Sequence, residues 1–330
     1  MKAEGGGRKA EDEFATRGCE SAQSQPADGS SSTASSALRL PPSPFAVSLV
    51  PLPPSALRLL LDPPAAGAWN MAVDEVLLDT AAADGQCTLR FYRWQEPTLS
   101  LGYFQTYADR WQHAASSGSA VVRRSSGGGA IMHDRELTYS LAIPARHPLA
   151  VDRLGCYRAI HLALIEALAQ WGIEATLAAK PSPPAPLPKG EGSCGMPTLS
   201  KGEGSPVSAA QREPFLCFQR RSPGDVLVGD IKVAGSAQRR CRGAVLQHGS
   251  VLLAQSAAAP ELAGLQELTG NAISCEQLIE AWLVRLAGAL SATWQSGQLS
   301  DEQHRRANAL MTEKYASPVW TENRGRHVSG

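Results

Sequence analysis

The sequence predicts a mixed fold of strands and helices, and three observations carry that expectation. Apolar residues four apart, such as Ile160, Leu164 and Leu168, mark one face of a helix. Short β-branched runs on either side of Gly229-Asp230 mark a two-residue hairpin. With 330 residues and 43% hydrophobic content, the chain can bury one large core or two modest ones, and one domain with appendages fits best.

The elements follow in order. Residues 1–57 are rich in Gly, Ser, Ala and Pro without apolar periodicity, which predicts a disordered tail. A domain of residues 58–322 then begins, with Asn70 expected to cap a helix to about Ala82 along Val73, Val76, Leu77 and Thr80. Leu89–Trp94 and Thr98–Leu101 read as strands around a Glu96-Pro97 turn. A short helix near Ala108–Ser117 should lead into strands at Ala120–Arg124, Ala130–His133 and Leu137–Ile143. An amphipathic helix starts at Asp152 or Gly155 and runs to Trp171. Residues 181–212, rich in Pro and Gly and repeating LPKGEG as LSKGEG, read as a low-complexity insertion on the surface. Beyond Phe215–Phe218 and the hairpin lies a strand at Ala244–Leu253, and helices are expected at Pro260–Leu268, Cys275–Trp294 and Asp301–Tyr315. Residues 323–330 form a terminal tail.

Composition excludes several function classes. Lys+Arg and Asp+Glu balance at 31 each, so no large field favours nucleic acid or an anionic membrane surface. The apolar run Phe45–Leu61 is broken by Pro51, Pro53 and Pro54, so no membrane span is expected. The start lacks the apolar segment of a secretory signal, and a cytoplasmic protein is the expectation. Seven scattered cysteines without a C-x-x-C spacing suggest neither a disulfide framework nor a metal site. Neither a Walker A loop nor a G-x-G-x-x-G after a strand is present.

Two segments carry chemistry. In the hairpin, Val228 should pair with Ile231 and Leu227 with Lys232, which aims Lys232 away from the face that buries Val228, Ile231 and Val233. Gly235, Ser236 and Ala237 then leave room for another molecule to approach the backbone. A lysine so placed suits a carbonyl or phosphate oxygen, although exposed strand edges also carry solvated lysines. The second segment is RRSSGGGAIMHD, a strand, a hinge at Gly127, Gly128 and Gly129, and another strand, whose backbone N–H groups suit an oxyanion. Of Arg123 and Arg124, alternation lets only one face the site, for an acidic carrier or a phosphate. His133 and His248 are candidates for binding or simply satisfied histidines at strand ends.

Together with WNMAVDEVLL (Trp69 to Leu78), LRFYRWQEPTLSLGYFQ (Leu89 to Gln105), DIKVAGSAQRR followed by LQHGSVLL, and KYASPVWTE (Lys314 to Glu322), these segments resemble the biotin/lipoate protein ligase family, in its lipoate and octanoate branch. The resemblance spans about Arg58 to Glu322. It implies an α+β fold in which a large, mostly antiparallel sheet and a smaller sheet are flanked by helices. It also implies that Gly127 to Gly129 and Lys232 hold an acyl group and its activated carbonyl.

Cys217, in a Cys-Phe pair fifteen residues before Lys232, decides which chemistry is expected. The octanoyltransferases that use a cysteine nucleophile place one at this offset, whereas ATP-dependent lipoate ligases need none. QRRSP after the pair departs from the acidic and aromatic residues more usual in that branch. A thiol attacks a thioester with little change in bond energy, and a neighbouring cation, Lys232 or Arg220 and Arg221, would favour the reactive thiolate. The resemblance thus implies transfer of an octanoyl group from octanoyl acyl carrier protein, through Cys217, to a lipoyl-domain lysine of glycine cleavage H protein or a 2-oxoacid dehydrogenase E2, without a cofactor. The alternative is an ATP- and Mg-dependent lipoate ligase working through an acyl adenylate, and a third reading is a non-catalytic, carrier-binding relative.

Overall fold

Residues 55–181 and 214–325 are described by a computed structural model. Nearly all of the expected tail 1–57 and insertion 181–212, with residues 326–330 of the terminal tail, lie outside the described residues.

Strand β1 (Ser55–Leu61) starts ahead of the boundary expected at residue 58. Its Leu57, Leu59 and Leu60 are all buried, on opposite faces, because helices cover both sides of the sheet. It pairs in parallel with β2 (Thr88–Tyr92) and with β11 (Ala292–Ser296). From β2 onward the pairing is antiparallel through β6 (Glu136–Ile143), β10 (Ala244–Leu252), β9 (Ile231–Cys241), β8 (Val226–Val228) and β7 (Ala175–Leu177). A small sheet sets β3 (Thr98–Leu101) between β4 (Ala120–Arg123) and β5 (Ile131–His133). The α+β architecture with one large, mostly antiparallel sheet is therefore as expected.

Helices α1 (Gly67–Asp84) and α6 (Asp301–Leu310) pack on one face of the large sheet, against Leu60, Tyr92 and Leu246. On the other face α3 (Arg153–Leu168) and α5 (Cys275–Ala289) cover Phe91, Tyr139 and Leu141, with Trp282 fully buried between them. Short helices α2 (Pro148–Val151), α4 (Leu265–Thr269) and α7 (Pro318–Asn323) complete the chain. None of the described helices is long and apolar enough to cross a membrane.

Several local expectations need correction. Asn70 does not cap α1, which starts three residues earlier; its buried amide donates instead to the carbonyls of Ala65 and Arg93 and ties the helix to two loops. Asp152, rather than Gly155, caps α3, its Oδ1 accepting the Gly155 N–H at 2.8 Å. The helix expected over Cys275–Trp294 stops at Ala289, and Ala292–Ser296 is drawn into the sheet beside β1. The expected helix at Ala108–Ser117 is two 3₁₀ turns, and only Leu265–Thr269 of Pro260–Leu268 is helical.

The hairpin register is as expected, Val228 opposite Ile231 and Leu227 opposite Lys232, with Gly229 at φ 57°. Ile231, however, is 45% exposed, so it is no part of the core. The ladder then slips: Val226 pairs with Ala234, which leaves Val233 as an extra residue on β9. Val233 and Ala234 both enter the same core. This bulge shifts the alternation by one residue, so Lys232 and Gly235 come to the same cleft.

Candidate active site

The cleft lies between the α1 side of the large sheet and the small sheet. Met71 from α1, Tyr92 and Trp94 supply an apolar wall, and Ile131 of β5 and Phe218 supply another. Cys217, Lys232, Arg124, His133, His248, Gly127, Gly128, Gly235 and Ser236 all line it. Arg123 and Gly129 do not.

Cys217 opens a 3₁₀ turn, Cys217–Gln219, held by hydrogen bonds from the Cys217 N–H to the Ala130 carbonyl at 2.7 Å and from the Ala130 N–H to the Phe215 carbonyl at 3.0 Å. The segment after the insertion is thus latched to the strand after the glycine hinge. The Lys232 Nζ lies 3.5 Å from Cys217 Sγ and 3.4 Å from the Cys217 carbonyl. Lys232 is only 4% exposed, so it is not a solvated edge lysine. Its charge is balanced by Asp225 Oδ2 at 2.8 Å, and its Nζ lies 5.2 Å from the Phe218 ring centroid. Asp225 is itself steadied by the Ser222 N–H at 2.7 Å.

Gly235 serves this pair rather than leaving room for a ligand. A Cβ there would fall 2.5 Å from Lys232 Cε and 2.9 Å from Asp225 Oδ1, so the space above Gly235 holds the bent lysine. Ser236 turns its hydroxyl to Tyr139 OH and His161 Nε2, both at 2.6 Å.

The two arginines separate as alternation requires. Arg123 is fully buried and binds the carbonyls of Gly102, Gln105 and Thr321, which ties α7 to the small sheet. Its expected role at the site entrance is not supported. Arg124 donates to the carbonyls of Ser100, Gly127 and Gly129 and so underpins the hinge. Burial pulls its guanidinium below the ordinary range, an effect opposed by the charge of a Cys217 thiolate. Within the hinge, Gly128 sits at φ 98°, and a Cβ at Gly102 would strike its carbonyl, so two glycines are needed where these loops cross. Of the other expected cations, Arg221 pairs with Asp230 at the hairpin tip, 3.1 Å away.

Both histidines are hydrogen-bonded. His133 Nδ1 donates to Glu136 Oε1 at 2.9 Å, its Nε2 meets Ser100 Oγ at 2.8 Å, and its ring stacks on Trp94 at 3.9 Å. Burial lowers its pKa below the ordinary histidine value, favouring the neutral ring. His248 Nδ1 donates to Asp74 Oδ2 at 3.2 Å, and its Nε2 meets Ser126 Oγ at 2.5 Å. Asp74 also accepts from Arg90, Tyr92 and Ser140. Among the described residues no group of His, Cys, Asp and Glu is placed to hold a metal ion.

Sequence reasoning missed Asp225, Asp74 and His161. Asp225 lies two residues before Leu227, on the face of the hairpin that Leu227 shares with its partner Lys232. Asp74 stands four residues after Asn70 in an otherwise apolar helical stripe, and His161 adjoins the Ile160–Leu164 stripe. Polar residues inside such stripes were the available signal.

The large mixed sheet, the small sheet beside it and the helices that flank them define a protein of the lipoate-ligase fold. The structure superposes on lipoate-protein ligase A bound with ATP at a TM-score of 0.59, with 19% identity over 81% of this chain and 98% of that one. A bi-partite lipoate protein ligase from Thermoplasma acidophilum gives the same TM-score of 0.59 at 19% identity, covering 84% of this chain and all of that one. The chain belongs to the lipoyl protein ligase A/B catalytic domain family, whose model matches residues 66–262. Among its curated relatives, octanoyltransferase LipM of Kyrpidia tusciae is 34% identical over 80% of this chain and 97% of its own length. LipM of Bacillus anthracis is 31% identical over 77% and 93%.

Proposed function

We propose that this enzyme is an octanoyltransferase that moves an octanoyl group from a carrier-protein thioester to a lysine of a lipoyl domain, through a thioester on Cys217. The observation that carries this reading is the Lys232 ammonium 3.5 Å from Cys217 Sγ, both lining a cleft with apolar walls. Its relatives named octanoyltransferase LipM support the same chemistry.

In the first step Cys217 gives up its thiol proton and its sulfur adds to the donor carbonyl; the tetrahedral centre then collapses, the C–S bond to the carrier breaks, and the carrier thiol leaves with that proton. The ammonium beside the sulfur stabilises negative charge there and on the carbonyl oxygen as the tetrahedral centre develops. Phe218 and the wall of Met71, Tyr92 and Trp94 receive the acyl chain. In the second step the acceptor amine attacks, the C–N bond forms, the C–S bond to Cys217 breaks, and the amine proton returns to the sulfur. The donor carbonyl arrives activated, so the sequence of steps uses no nucleotide.

On this reading the donor is octanoyl acyl carrier protein, the acceptors are lipoyl domains of the glycine cleavage H protein or 2-oxoacid dehydrogenase E2, and the reaction is cytoplasmic. Intact-mass measurement after mixing with octanoyl carrier protein should show one octanoyl adduct, released by hydroxylamine and missing in Cys217→Ala. Acylation of a lipoyl domain should then proceed without ATP or Mg²⁺. Strict dependence on ATP with free octanoate or lipoate would replace this reading with a ligase.

A further inference from the structure

His161 lies on α3, on the far side of the large sheet from α1, and is 1% exposed. Both ring nitrogens make short hydrogen bonds: Nδ1 to the Gly224 carbonyl and Nε2 to Ser236 Oγ, each at 2.6 Å. A carbonyl only accepts, so Nδ1 must carry a proton. Burial lowers the pKa of the ring below the ordinary histidine value, which favours the neutral form and leaves Nε2 bare. Every proton in the chain of contacts then has one direction. Gln247 Nε2 donates to Tyr139 OH at 3.0 Å, Tyr139 donates to Ser236 at 2.6 Å, and Ser236 donates to His161, which donates to Gly224.

The chain ends on a turn of consequence. Gly224 immediately precedes Asp225, whose carboxylate holds Lys232, and Lys232 stands against Cys217. Gly224 has φ 91°, a conformation open to glycine without strain, and two hydrogen bonds select it here. The Gly224 N–H binds the Ala178 carbonyl at 2.8 Å, and its carbonyl takes His161.

We propose that His161 is a positioning residue for the Cys217–Lys232 pair: as the Nδ1–H tautomer, anchored through Ser236 and Tyr139 to three central strands, it fixes the Gly224–Asp225 turn and with it the lysine. The inference rests on the reading of Cys217 and Lys232 as the reacting pair. Groups facing the ring are Tyr157 from its own helix, Asp225 and Lys232 from the hairpin, and Ser236, with Tyr139 behind it. Asp225 and Lys232 compensate each other as an ion pair.

The test uses the full chain and three readouts. Nitrogen-15 NMR of the imidazoles should find His161 protonated at Nδ1 and bare at Nε2; the opposite tautomer overturns the proposal. His161→Leu should slow iodoacetamide alkylation of Cys217 and acyl-adduct formation at pH 7 by roughly ten- to a hundredfold, the range for a small displacement of a reacting group. His161→Gln, whose amide offers one N–H to Gly224 and one oxygen to Ser236, should restore both to within a few-fold. Alkylation unchanged in His161→Leu, or equally impaired in the two variants, overturns the proposal. Should the leucine variant not fold, the tautomer and the glutamine variant still decide it. Native-like alkylation without any octanoyl adduct in the unsubstituted enzyme would instead count against the octanoyltransferase reading and leave this inference standing.

Discussion

Two glycines on neighbouring strands differ in what an added Cβ would meet. At Gly235 an added Cβ would press on the far end of the Lys232 side chain, 2.5 Å from Cε and 2.7 Å from Nζ. At Gly249 it would meet backbone, the Gly235 carbonyl at 2.4 Å. A flexible ammonium can move aside and a paired strand cannot. Gly235→Ala should therefore cost less melting temperature than Gly249→Ala yet lose activity on the order of tenfold or more by displacing the lysine. Gly249→Ala should lower the melting temperature, and thermal scans beside transfer assays distinguish the two. Lys232→Ala should fold and lose transfer by roughly a hundredfold or more, the size expected when an electrostatic contact to a reacting carbonyl is removed. Near-normal turnover there would remove Lys232 from the mechanism. Asp74, which holds Arg90, Tyr92, Ser140 and His248 together, belongs to stability instead. Asp74→Ala leaves Arg90 its Asp62 partner at 2.7 Å but strips the buried Tyr92, Ser140 and His248 of their acceptor, and should cost on the order of 1–3 kcal/mol in denaturant unfolding.

Among the elements, β1 bears most directly on where the domain begins. It joins β2 to β11 and buries Leu57, Leu59 and Leu60 against both helical layers. Each buried leucine is worth ~2–5 kcal/mol on truncation to alanine, so the three rival the whole net stability of about 5–15 kcal/mol. Removing residues 1–54 should leave melting temperature and transfer unchanged, whereas removing residues 1–61 should abolish cooperative unfolding. Replacing residues 182–213 with a short Gly-Ser linker should likewise preserve activity, as their Pro- and Gly-rich composition implies. Loss of activity with an intact fold would assign that segment to the site, since it ends just before Cys217.

For the whole molecule, buried ionisable groups set the response to acid. Burial lowers the pKa of His133, His147 and His161 from the ordinary value of 6.5. The unfolded chain therefore binds more protons than the native one as pH falls below 6.5 toward those lowered values. The stability from these neutral rings is complete above that range and declines on acidification. Asp74 adds to the decline at lower pH: burial alone would raise it, but the His248 hydrogen bond and the Arg90 charge hold it below 3.8. Melting temperature should accordingly begin to fall as pH drops below about 6.5 and fall again below about pH 4. His161→Gln should flatten the first fall, and a melting temperature independent of pH across that range would contradict the account.

By itself the sequence determined the features that depend on near neighbours. The hairpin register at Lys232 follows from the Gly229-Asp230 turn, the α3 stripe from its four-residue spacing, and the family from ordered motifs such as RRSSGGGAIMHD. The chemical expectation at Cys217 was legible too, because a Cys-Phe pair at a set distance from a lysine is a linear pattern. Only the tertiary structure decided which partners those residues meet. Residues 292–296 become a strand because β1, more than two hundred residues earlier, offers its parallel edge, and no local propensity encodes that pairing. The bulge at Val233 resets which residues face the cleft, Asp225 pairs with Lys232 across the hairpin, and His161 of α3 meets the Gly224 carbonyl. Such contacts arise when the sheet assembles and buries polar groups that must find hydrogen-bond partners, a requirement set by the whole fold rather than by any one segment.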